Sequence, residues 1–306
     1  MVTVANSLLT QPETYSEYNT SAMNDKQFAR WVELLESRIG VRASALRKTF
    51  LTNALDIRLQ TLGMQNYNEY DDYLHSGNQG EIEWFELIDL LTIRETRFFR
   101  HASSLELLQN HALNKLSQFK NNGQQSLKAW SVGCASGEEA YTLAIVLDQA
   151  IKSAGDKSCY FSVMASDISR SALNTGRKGI YSTKQLNNMD AKLIQQHFTA
   201  LDNNQYQISG QLKLRVCFNK VNVLDIRQKN IGQMDIIFCQ NLLYYFEHDT
   251  RINILNKLTD YLATDGILIL GPGDIFQWDN PDMALVNGDD TLAYRKSASS
   301  NPGTTK

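Results

Sequence analysis

Apolar residues recur three and four positions apart through the first part of the chain, the spacing of amphipathic helices. A helix is predicted after Asp25, an acid suited to cap its amino end, and Gly40 is suited to end it. The same spacing predicts further helices over residues 43–63, 66–74 and 81–93. Residues 24–95 are therefore predicted to form an all-α N-terminal domain.

The pattern changes after Ser126, where short apolar runs alternate with helical segments. Such alternation is typical of an α/β domain with a mostly parallel sheet. Strands are predicted at residues 128–132, 160–166, 217–221, 234–239, 266–270 and 292–295. The second domain is predicted to span residues 96–296.

The alternation breaks between the second and third of these strands. There the runs 206–208 and 212–216 flank Ser209 and Gly210, which favour a turn. The two runs predict an antiparallel hairpin inserted in the main sheet. We expect a small β-subdomain at about residues 182–218.

Composition narrows the class of protein. With 306 residues and 42% apolar content, the chain can build a medium domain and a smaller one. Its 30 basic and 33 acidic residues leave a net charge of -3, so no overall field attracts nucleic acid. No apolar run reaches the roughly 20 residues that span a bilayer, and no membrane insertion is expected. The polar segments 1–23 and 297–306 are predicted to be disordered.

Cysteine and histidine usage narrows the chemistry. The four cysteines form no C-x-x-C pair, and the five histidines show no ligand spacing. We therefore expect no metal and reduced thiols, as in a cytoplasmic protein. The chain contains no G-x-S-x-G elbow, which removes most support for a hydrolase.

A strand, a glycine-bearing turn and a helix start follow one another in residues 130–141. Gly133 and Gly137 permit tight backbone geometry and close approach of a ligand at the carboxyl end of the strand. The spacing is not G-x-G-x-x-G, so an ordinary strand-to-helix turn stays an alternative. Glu138 and Glu139 at the helix start would repel phosphate and suit a cationic or hydroxyl-rich ligand.

Polar side chains follow three of the predicted strands where each strand ends. Asp167 follows the second strand, Asn222 the third, and Gln240 with Asn241 the fourth. An acid at the end of a second strand can accept the hydroxyls of a ribose. Capping of a helix that begins near Ser169 is the alternative role of Asp167. Together the three strand ends predict the rim of a binding crevice.

Five blocks of the chain stand out by their content and order. They are Thr96-Arg97-Phe98-Phe99-Arg100, residues 130–141, Ala165-Ser166-Asp167-Ile168 with Gly179-Ile180-Tyr181 following, residues 218–224 and residues 237–246. Together they resemble the CheR-type chemoreceptor methyltransferases, which methylate receptor glutamates with S-adenosylmethionine. The resemblance covers nearly everything from about Asp25 to Arg295. It implies an α/β, Rossmann-like class I methyltransferase domain with an inserted small β-subdomain, preceded by an all-α N-terminal domain.

The same resemblance implies a site for S-adenosylmethionine, with S-adenosylhomocysteine as product and no metal. Gly133 would lie in the cofactor loop. Thr96 and Arg100 would contact the methionine end of the donor, and Glu138 would lie beside its amino group. The partner would be the cytoplasmic helical region of transmembrane chemoreceptors.

The remaining cofactor contacts are implied at the strand ends. Asp167 would bind the ribose, and Asn222 and Val223 would lie on the adenine side. Gln240 and Asn241 would lie on the sulfonium side.

Catalytic roles are implied for Arg100, Gln240 and Tyr245, with Tyr244 as a further candidate for shaping the site. The acceptor is a glutamate carboxylate that attacks the methyl group directly.

Two residues depart from the family pattern. Gln240 stands where relatives usually carry Arg, and Arg94 stands where many carry Asn. The Gln-Asn pair is similar to that of the PilK branch, associated with type IV pilus chemosensory systems. Loss of the fixed charge at Gln240 leaves a second hypothesis open, a non-catalytic receptor-binding adaptor that retains the cofactor fold. A nicotinamide-dependent oxidoreductase is a third, disfavoured because Glu138 leaves a poor seat for pyrophosphate.

Overall fold

The computed structural model of the chain describes residues 23–42, 47–92, 96–122, 126–155, 158–228, 231–275, 277–286 and 290–297. The segments predicted to be disordered, 1–23 and 297–306, lie outside these residues except for Met23 and Ser297. Arg94 and the predicted start of the second helix at Ala43 also lie outside them. No helix in the described part of the chain is long and apolar enough to cross a membrane.

The first part of the chain is helical, as predicted. Its described residues form α1 (Asp25–Ile39), α2 (Lys48–Leu62), α3 (Tyr67–Leu74) and α4 (Asn78–Leu91), which we call the helical unit. The cap of α1 is Asn24, not Asp25: the Asn24 side chain accepts from Gln27 N, and the Gln27 side chain accepts from Asn24 N. This reciprocal box needs Glu or Gln at the third helical position, and Gln27 holds that position only if Asn24 is the cap. Gly40 ends α1 in the left-handed conformation.

Strands and helices alternate in the rest of the chain. They are α5 (Ala102–Asn122), β1 (Ser126–Val132), α6 (Glu138–Ala154), β2 (Tyr160–Asp167), α7 (Arg170–Lys178), β3 (Ile180–Ser182), α8 (Thr183–Leu186), α9 (Ala191–His197), β4 (Phe198–Leu201), β5 (Gln205–Ile208), α10 (Gly210–Lys213), β6 (Val216–Lys220), β7 (Met234–Cys239), α11 (His248–Asp260), β8 (Leu262–Leu270), β9 (Met283–Val286) and β10 (Leu292–Lys296). The six predicted strands are present. The sequence did not predict α5, β3, β4 or β9.

Among the described residues, seven strands form the main sheet in the order β6-β2-β1-β7-β8-β10-β9. The strands from β6 to β8 are parallel, whereas β10 runs antiparallel to β8 and β9 antiparallel to β10. Parallel strands place their carboxyl ends at one edge of the sheet. The ends of β6, β2, β1 and β7 therefore lie side by side, where an open α/β sheet binds its ligand.

The predicted hairpin in the main sheet is wrong. β5 pairs antiparallel with β3 and β4 in a separate three-stranded sheet, and Val216 begins β6 in the main sheet. Residues 210–213 form the short helix α10, because the Ser209 side chain accepts from Leu212 N and caps it. The true hairpin turn contains Asn203 and Asn204, whose φ angles of 62° and 56° suit asparagine.

Candidate functional site

A cavity of about 170 Å³ lies at the carboxyl ends of β1, β2, β6 and β7. All of the predicted site residues except Glu138 line it: Thr96, Arg100, Gly133, Asp167, Asn222, Val223, Gln240, Asn241 and Tyr245. These residues come from five separate parts of the sequence, and the fold brings them to one place. Their individual roles stay predictions.

The helical unit forms part of the cavity wall, which the sequence did not predict. Ile39, Val41, Phe50 and Leu91 line the cavity. The Asn222 side chain links the two parts, because its Nδ2 donates to Arg38 O at 3.3 Å. The site is therefore built jointly by both regions of the chain.

The loop from β1 to α6 is fixed by its backbone. Gly133 N and Cys134 N both donate to Ser166 O, at 2.8 and 2.9 Å. Gly133 and Gly137 have φ angles of 77° and 95°, which L side chains rarely adopt. A Cβ at Gly137 would also lie 2.9 Å from the ring of Phe218. Glycine is therefore required at this turn by both conformation and space.

Glu138 does not line the cavity, which corrects its expected place beside the donor. Its side chain is 1% exposed, and its Oε1 accepts from Gln185 Nε2 at 2.7 Å. Its Oε2 accepts from Ser136 Oγ at 2.7 Å. Burial raises the pKa of Glu138, and these two hydrogen bonds act against that rise. The carboxylate therefore ties α6 to α8 of the small subdomain.

Glu139 lines the cavity instead, together with Thr142 one turn later on the same face of α6. Its Oε1 accepts from Ser131 Oγ at 2.6 Å. Burial raises the pKa of Glu139 to about 8, partly offset by the Ser131 hydroxyl. A cation in the cavity would favour the ionised form and lower that pKa. Sequence spacing alone could not show which of the two acids lines the cavity, because that depends on which face of α6 meets the sheet.

Asp167 lines the cavity and also shapes the backbone around it. Its Oδ2 accepts from Ala135 N at 2.9 Å, and its Oδ1 accepts from Ser169 N at 2.8 Å. The cap of α7 is Ser169 itself, whose Oγ accepts from Ala172 N. Burial raises the pKa of Asp167, and the backbone donors oppose that rise. The carboxylate is thus held in one orientation, with its side chain facing the cavity.

The segment before α5 presents Thr96 and Arg100 to the cavity. Phe98 is fully buried and packs edge-on against Tyr181, with ring centroids 5.0 Å apart. Phe99 has a φ of 53°, a costly conformation for a bulky residue, and its N donates to Thr142 Oγ1 at 3.2 Å. Phe98 therefore belongs to the core, whereas Phe99 packs against the edge of the core and lines the cavity.

Gln240 and Asn241 follow β7 and contact the start of α5. Gln240 is 6% exposed, and its Nε2 donates to Ser104 Oγ at 2.9 Å and to Leu270 O at 3.1 Å. Asn241 has a φ of 57°, and its Oδ1 accepts from His101 Nε2 at 3.3 Å. Both amide hydrogens of Gln240 are therefore used inside the protein, and its carbonyl oxygen is the atom that a ligand can meet.

A pair of tyrosines closes this side of the cavity. Tyr244 and Tyr245 lie in the 3₁₀ turn Leu243–Tyr245 with ring centroids 4.0 Å apart, and the Tyr244 hydroxyl donates to the Tyr245 hydroxyl. Both rings line the cavity. Two hydroxyls in contact form one polar patch within an aromatic surface.

Among the described residues, no group of three or more His, Cys, Asp or Glu side chains could hold a metal ion. Glu139 and Asp167 are the acids on the cavity wall, and Arg97 and Arg100 are its arginines. The wall therefore carries both acidic and basic groups, which suits a zwitterionic ligand.

Comparison with known proteins agrees with this architecture. Residues 26–92 match the all-alpha domain of CheR methyltransferases, and residues 94–291 match the SAM binding domain of CheR methyltransferases. The solved structure of a TehB-like SAM-dependent methyltransferase from Corynebacterium glutamicum is 13% identical to this chain. The match covers 61% of this chain and 88% of that one, and its TM-score of 0.33 is too low to support a conclusion.

Curated relatives are similar over most of their length. The chemotaxis protein methyltransferase of Borreliella burgdorferi is 32% identical over 246 residues, which cover 80% of this chain and 86% of that protein. Those of Salmonella typhimurium and Escherichia coli are each 30% identical over 258 residues, covering 83% of this chain and 85% and 86% of theirs. These matches do not single out the PilK branch. The chain belongs to the CheR methyltransferase family and is a protein methyltransferase with a SAM-binding domain.

Proposed function

We propose that the protein transfers a methyl group from S-adenosylmethionine to glutamate side chains of chemoreceptor proteins, giving methyl esters and S-adenosylhomocysteine. The observation that carries the proposal is the cavity in which Glu139, Asp167 and the tyrosine pair meet at the carboxyl ends of the strands. The relatives named as chemotaxis protein methyltransferases support methyl transfer in chemotaxis, and the glutamate ester is the finer part of the proposal. The substrate segment is proposed to be the cytoplasmic helical region of transmembrane receptors, so the reaction would take place in the cytoplasm.

The donor fits the residues on one side of the cavity. The guanidinium of Arg100, with Thr96 beside it, is suited to a carboxylate, and Glu139 to an ammonium group. This assignment replaces Glu138, whose oxygens are committed to Ser136 and Gln185. Gly133 lets the backbone approach closely, since a Cβ there would already lie 3.1 Å from Leu242.

The nucleoside end of the donor fits the strand ends. Asp167 is proposed to accept the ribose hydroxyls through the lone pairs that its backbone donors leave. Asn222 and Val223 form the adenine side. Gln240 presents its carbonyl oxygen, and Asn241 its amide, to the sulfonium side.

The chain needs no general base for this reaction. When bound, S-adenosylmethionine supplies an electrophilic methyl group on a sulfonium, and an exposed glutamate, with a pKa of about 4.3, is already ionised at neutral pH. The protein's work is to align the two reactants and to exclude water, which can lower a barrier by several kcal/mol. Tyr244 and Tyr245 are proposed to orient the acceptor carboxylate through their hydroxyls. Arg100 is proposed to hold the donor in line.

Tritiated methyl transfer to membranes from the source cell tests the proposal. A glutamate ester releases volatile methanol on treatment with base, whereas amide or N-methyl products do not. Labelled receptor bands that yield methanol are the expected result. Purified protein that binds neither S-adenosylmethionine nor S-adenosylhomocysteine in a calorimeter would refute the proposal.

One observation favours a second function, a non-catalytic receptor-binding adaptor. Gln240 carries no charge, and its amide hydrogens are used on Ser104 and Leu270. An adaptor would bind the donor and the receptor without forming esters. Gln240→Arg in the same assay separates the two: an adaptor that lost turnover with this charge would gain ester formation, whereas an active enzyme would not depend on it.

A receptor of a type IV pilus chemosensory system is the finer substrate proposal. The Gln240-Asn241 pair motivates it. Methyl transfer to membranes from cells with and without that receptor tests it, and equal labelling of both membranes would refute it.

A further inference from the structure

Asp274 lies in the loop that follows β8, behind the wall of the cavity. It is 2% exposed, and it is not one of the residues that line the cavity. Its Oδ2 accepts from Asn241 N at 3.0 Å and from Gly271 N at 2.8 Å. The backbone N–H groups of Leu243 and Tyr244 also hydrogen-bond to this carboxylate. One buried carboxylate thus gathers the donors of the segment that carries Asn241 and the tyrosine pair.

The space around Asp274 is shaped for this arrangement. A Cβ at Gly271 would lie 2.6 Å from Asp274 Oδ2 and 3.1 Å from Asn241 N. Glycine at this position therefore lets the carboxylate reach two backbone donors at once. The φ of 57° at Asn241 turns the chain sharply after β7, and its N–H then points to Asp274.

Arg251 of α11 holds the same segment by its carbonyl groups. Its Nε donates to Phe246 O at 2.8 Å, and its other nitrogens donate to Asp274 O at 3.1 Å and to Tyr244 O at 3.3 Å. Asp274 therefore accepts hydrogen bonds from the N–H groups of the turn, while Arg251 donates hydrogen bonds to its carbonyl groups. Charged partners make such hydrogen bonds stronger than neutral ones.

We propose that Asp274 is a positioning residue for methyl transfer: it fixes residues 241–245 so that Asn241 and the Tyr244–Tyr245 pair face the reacting atoms. Asp274 touches neither reactant and acts through the backbone of this turn. The inference rests on the proposed function for the chemistry, but the order of the turn can be measured without it. The donor's other contacts, at Glu139, Asp167 and Asn222, are held by hydrogen bonds to other residues. Of these three, Glu139 also responds to the charge of Asp274, which raises its pKa.

The test compares Asp274→Asn with Asp235→Asn. Asp235 is a matched control, since it is also buried, at 4% exposure, and its Oδ2 accepts from a backbone N–H, that of Lys128 at 2.9 Å. It lies at the amino end of β7, whereas Asp274 serves the carboxyl end. An Asn at position 274 keeps one acceptor but turns an NH2 group toward backbone donors.

Three quantities are measured for both variants and the wild type: amide hydrogen exchange, the affinity for S-adenosylhomocysteine and kcat for methyl transfer at saturating donor. We expect Asp274→Asn to speed exchange at residues 241–245 at least tenfold and to lower kcat at least tenfold, while the affinity changes less than threefold. Asp235→Asn should leave exchange at 241–245 and kcat within threefold of the wild type.

Unchanged exchange and unchanged kcat in folded Asp274→Asn would overturn the inference. Faster exchange throughout the chain, with affinity and kcat falling together, would also overturn it, because it would indicate a general loss of stability. If Asp274→Asn does not fold, Asp274→Glu is measured: its longer side chain should shift exchange at 241–245 and kcat, and no change in either would count against the role. A wild type that transfers no methyl group refutes the proposed function instead, and exchange alone then decides the role of Asp274.

Discussion

The two sides of the cavity are held in place by different means. The β1–β2 side, residues 133–139 with Asp167, is fixed by backbone hydrogen bonds and by glycines with positive φ. The β7 side, residues 240–245, is fixed by side chains from distant parts of the chain, among them Ser104, Arg251 and Asp274. In the first arrangement the glycines leave no room for a larger side chain at Gly137. On the β7 side a single substitution removes a single hydrogen bond. Such substitutions should therefore change the rate of methyl transfer without unfolding the protein.

Gly137→Ala should give the largest effect, because it breaks the β1–β2 side. The new Cβ would meet the Phe218 ring at 2.9 Å and Gly176 Cα at 3.1 Å, in addition to the strain of a φ of 95°. We expect a loss of about 3 kcal/mol or more in the free energy of unfolding, measured with urea. Gly155→Ala is the control, since its φ is 68° with nothing within 4 Å, and it should cost only about 1–2 kcal/mol. Equal losses would show that crowding at Gly137 is unimportant.

Asp167→Ala should weaken both the fold and the donor site on the β1–β2 side. It leaves Ala135 N and Ser169 N without their acceptor, at a cost of about 1–3 kcal/mol in unfolding free energy. Donor affinity should fall roughly tenfold, or about 1.4 kcal/mol, by calorimetry. Asp190→Ala, which removes the acceptor of Lys192 N at α9, is the control and should leave donor affinity unchanged. Full donor affinity in Asp167→Ala would reduce Asp167 to a backbone role.

Glu139→Gln tests the charge of the β1–β2 side, because it removes the acidic group and keeps the size of the side chain. It should weaken S-adenosylmethionine binding about tenfold, close to 1.4 kcal/mol, because the acid facing the ammonium group is lost. Glu138→Gln is the matched control one residue earlier. It should change donor affinity less than threefold, since Glu138 faces Gln185 and not the cavity. The reverse ranking of the two variants would return the donor contact to Glu138.

The pH dependence of donor binding should follow from Glu139. Its pKa of about 8 lies above the unfolded value of about 4.3, so between these values the folded protein holds a proton that the unfolded chain has lost. The contribution of Glu139 to stability is therefore largest below about pH 4.3 and declines as the pH rises to about 8. The affinity for the donor should instead rise with pH, because the donor's ammonium group binds the ionised form of Glu139. The rise should be at most tenfold per pH unit and should end at about pH 8.

Calorimetry in buffers of different ionisation enthalpy measures the protons released on binding at each pH. The amino group of the donor also titrates. Proton release measured with Glu139→Gln gives the contribution of that amino group, which is subtracted from the wild-type value. Identical proton release from wild type and Glu139→Gln would disprove the link to Glu139.

Ser104→Ala should give the smallest effect and lies on the β7 side. It leaves one amide hydrogen of Gln240 without its acceptor, which should cost about 1 kcal/mol in unfolding free energy. We expect kcat to fall less than threefold, because Leu270 O still holds the Gln240 amide. Ser117→Ala on the same helix is the control, since its hydroxyl donates only to Asn114 O at the surface. If Ser104→Ala lost as much free energy of unfolding as Gly137→Ala, the two sides of the cavity would not differ in their tolerance of substitution.

The sequence predicted where the β1–β2 side of the cavity lies, because the determinants of that position are local. Gly133, Gly137 and Asp167 each act within a few residues of a strand end, so spacing reveals them. Spacing could not tell whether Glu138 or Glu139 lines the cavity, because the two acids point to different faces of α6 and only the packing of α6 decides which face meets the cavity. The partners on the β7 side, such as Gln240 with Ser104, are 136 positions apart. No local pattern connects them.

The same limit applies to the fold. Strand positions follow from apolar runs, and all six predicted strands are confirmed. The predicted hairpin is wrong because Ser209 caps a short helix, while Asn203 and Asn204 make the turn that was predicted at Ser209 and Gly210. Strand pairing depends on which runs meet in space, and periodicity carries no information on that.

The shared wall of the cavity has a practical consequence for protein engineering. Ile39, Val41, Phe50 and Leu91 belong to the region that matches the all-alpha domain, yet they enclose a pocket whose other wall belongs to the SAM-binding domain. Exchanging the N-terminal regions of two relatives would therefore replace part of the enclosure along with them. Chimaeras joined between residues 92 and 94 should inherit their ligand properties from both parents.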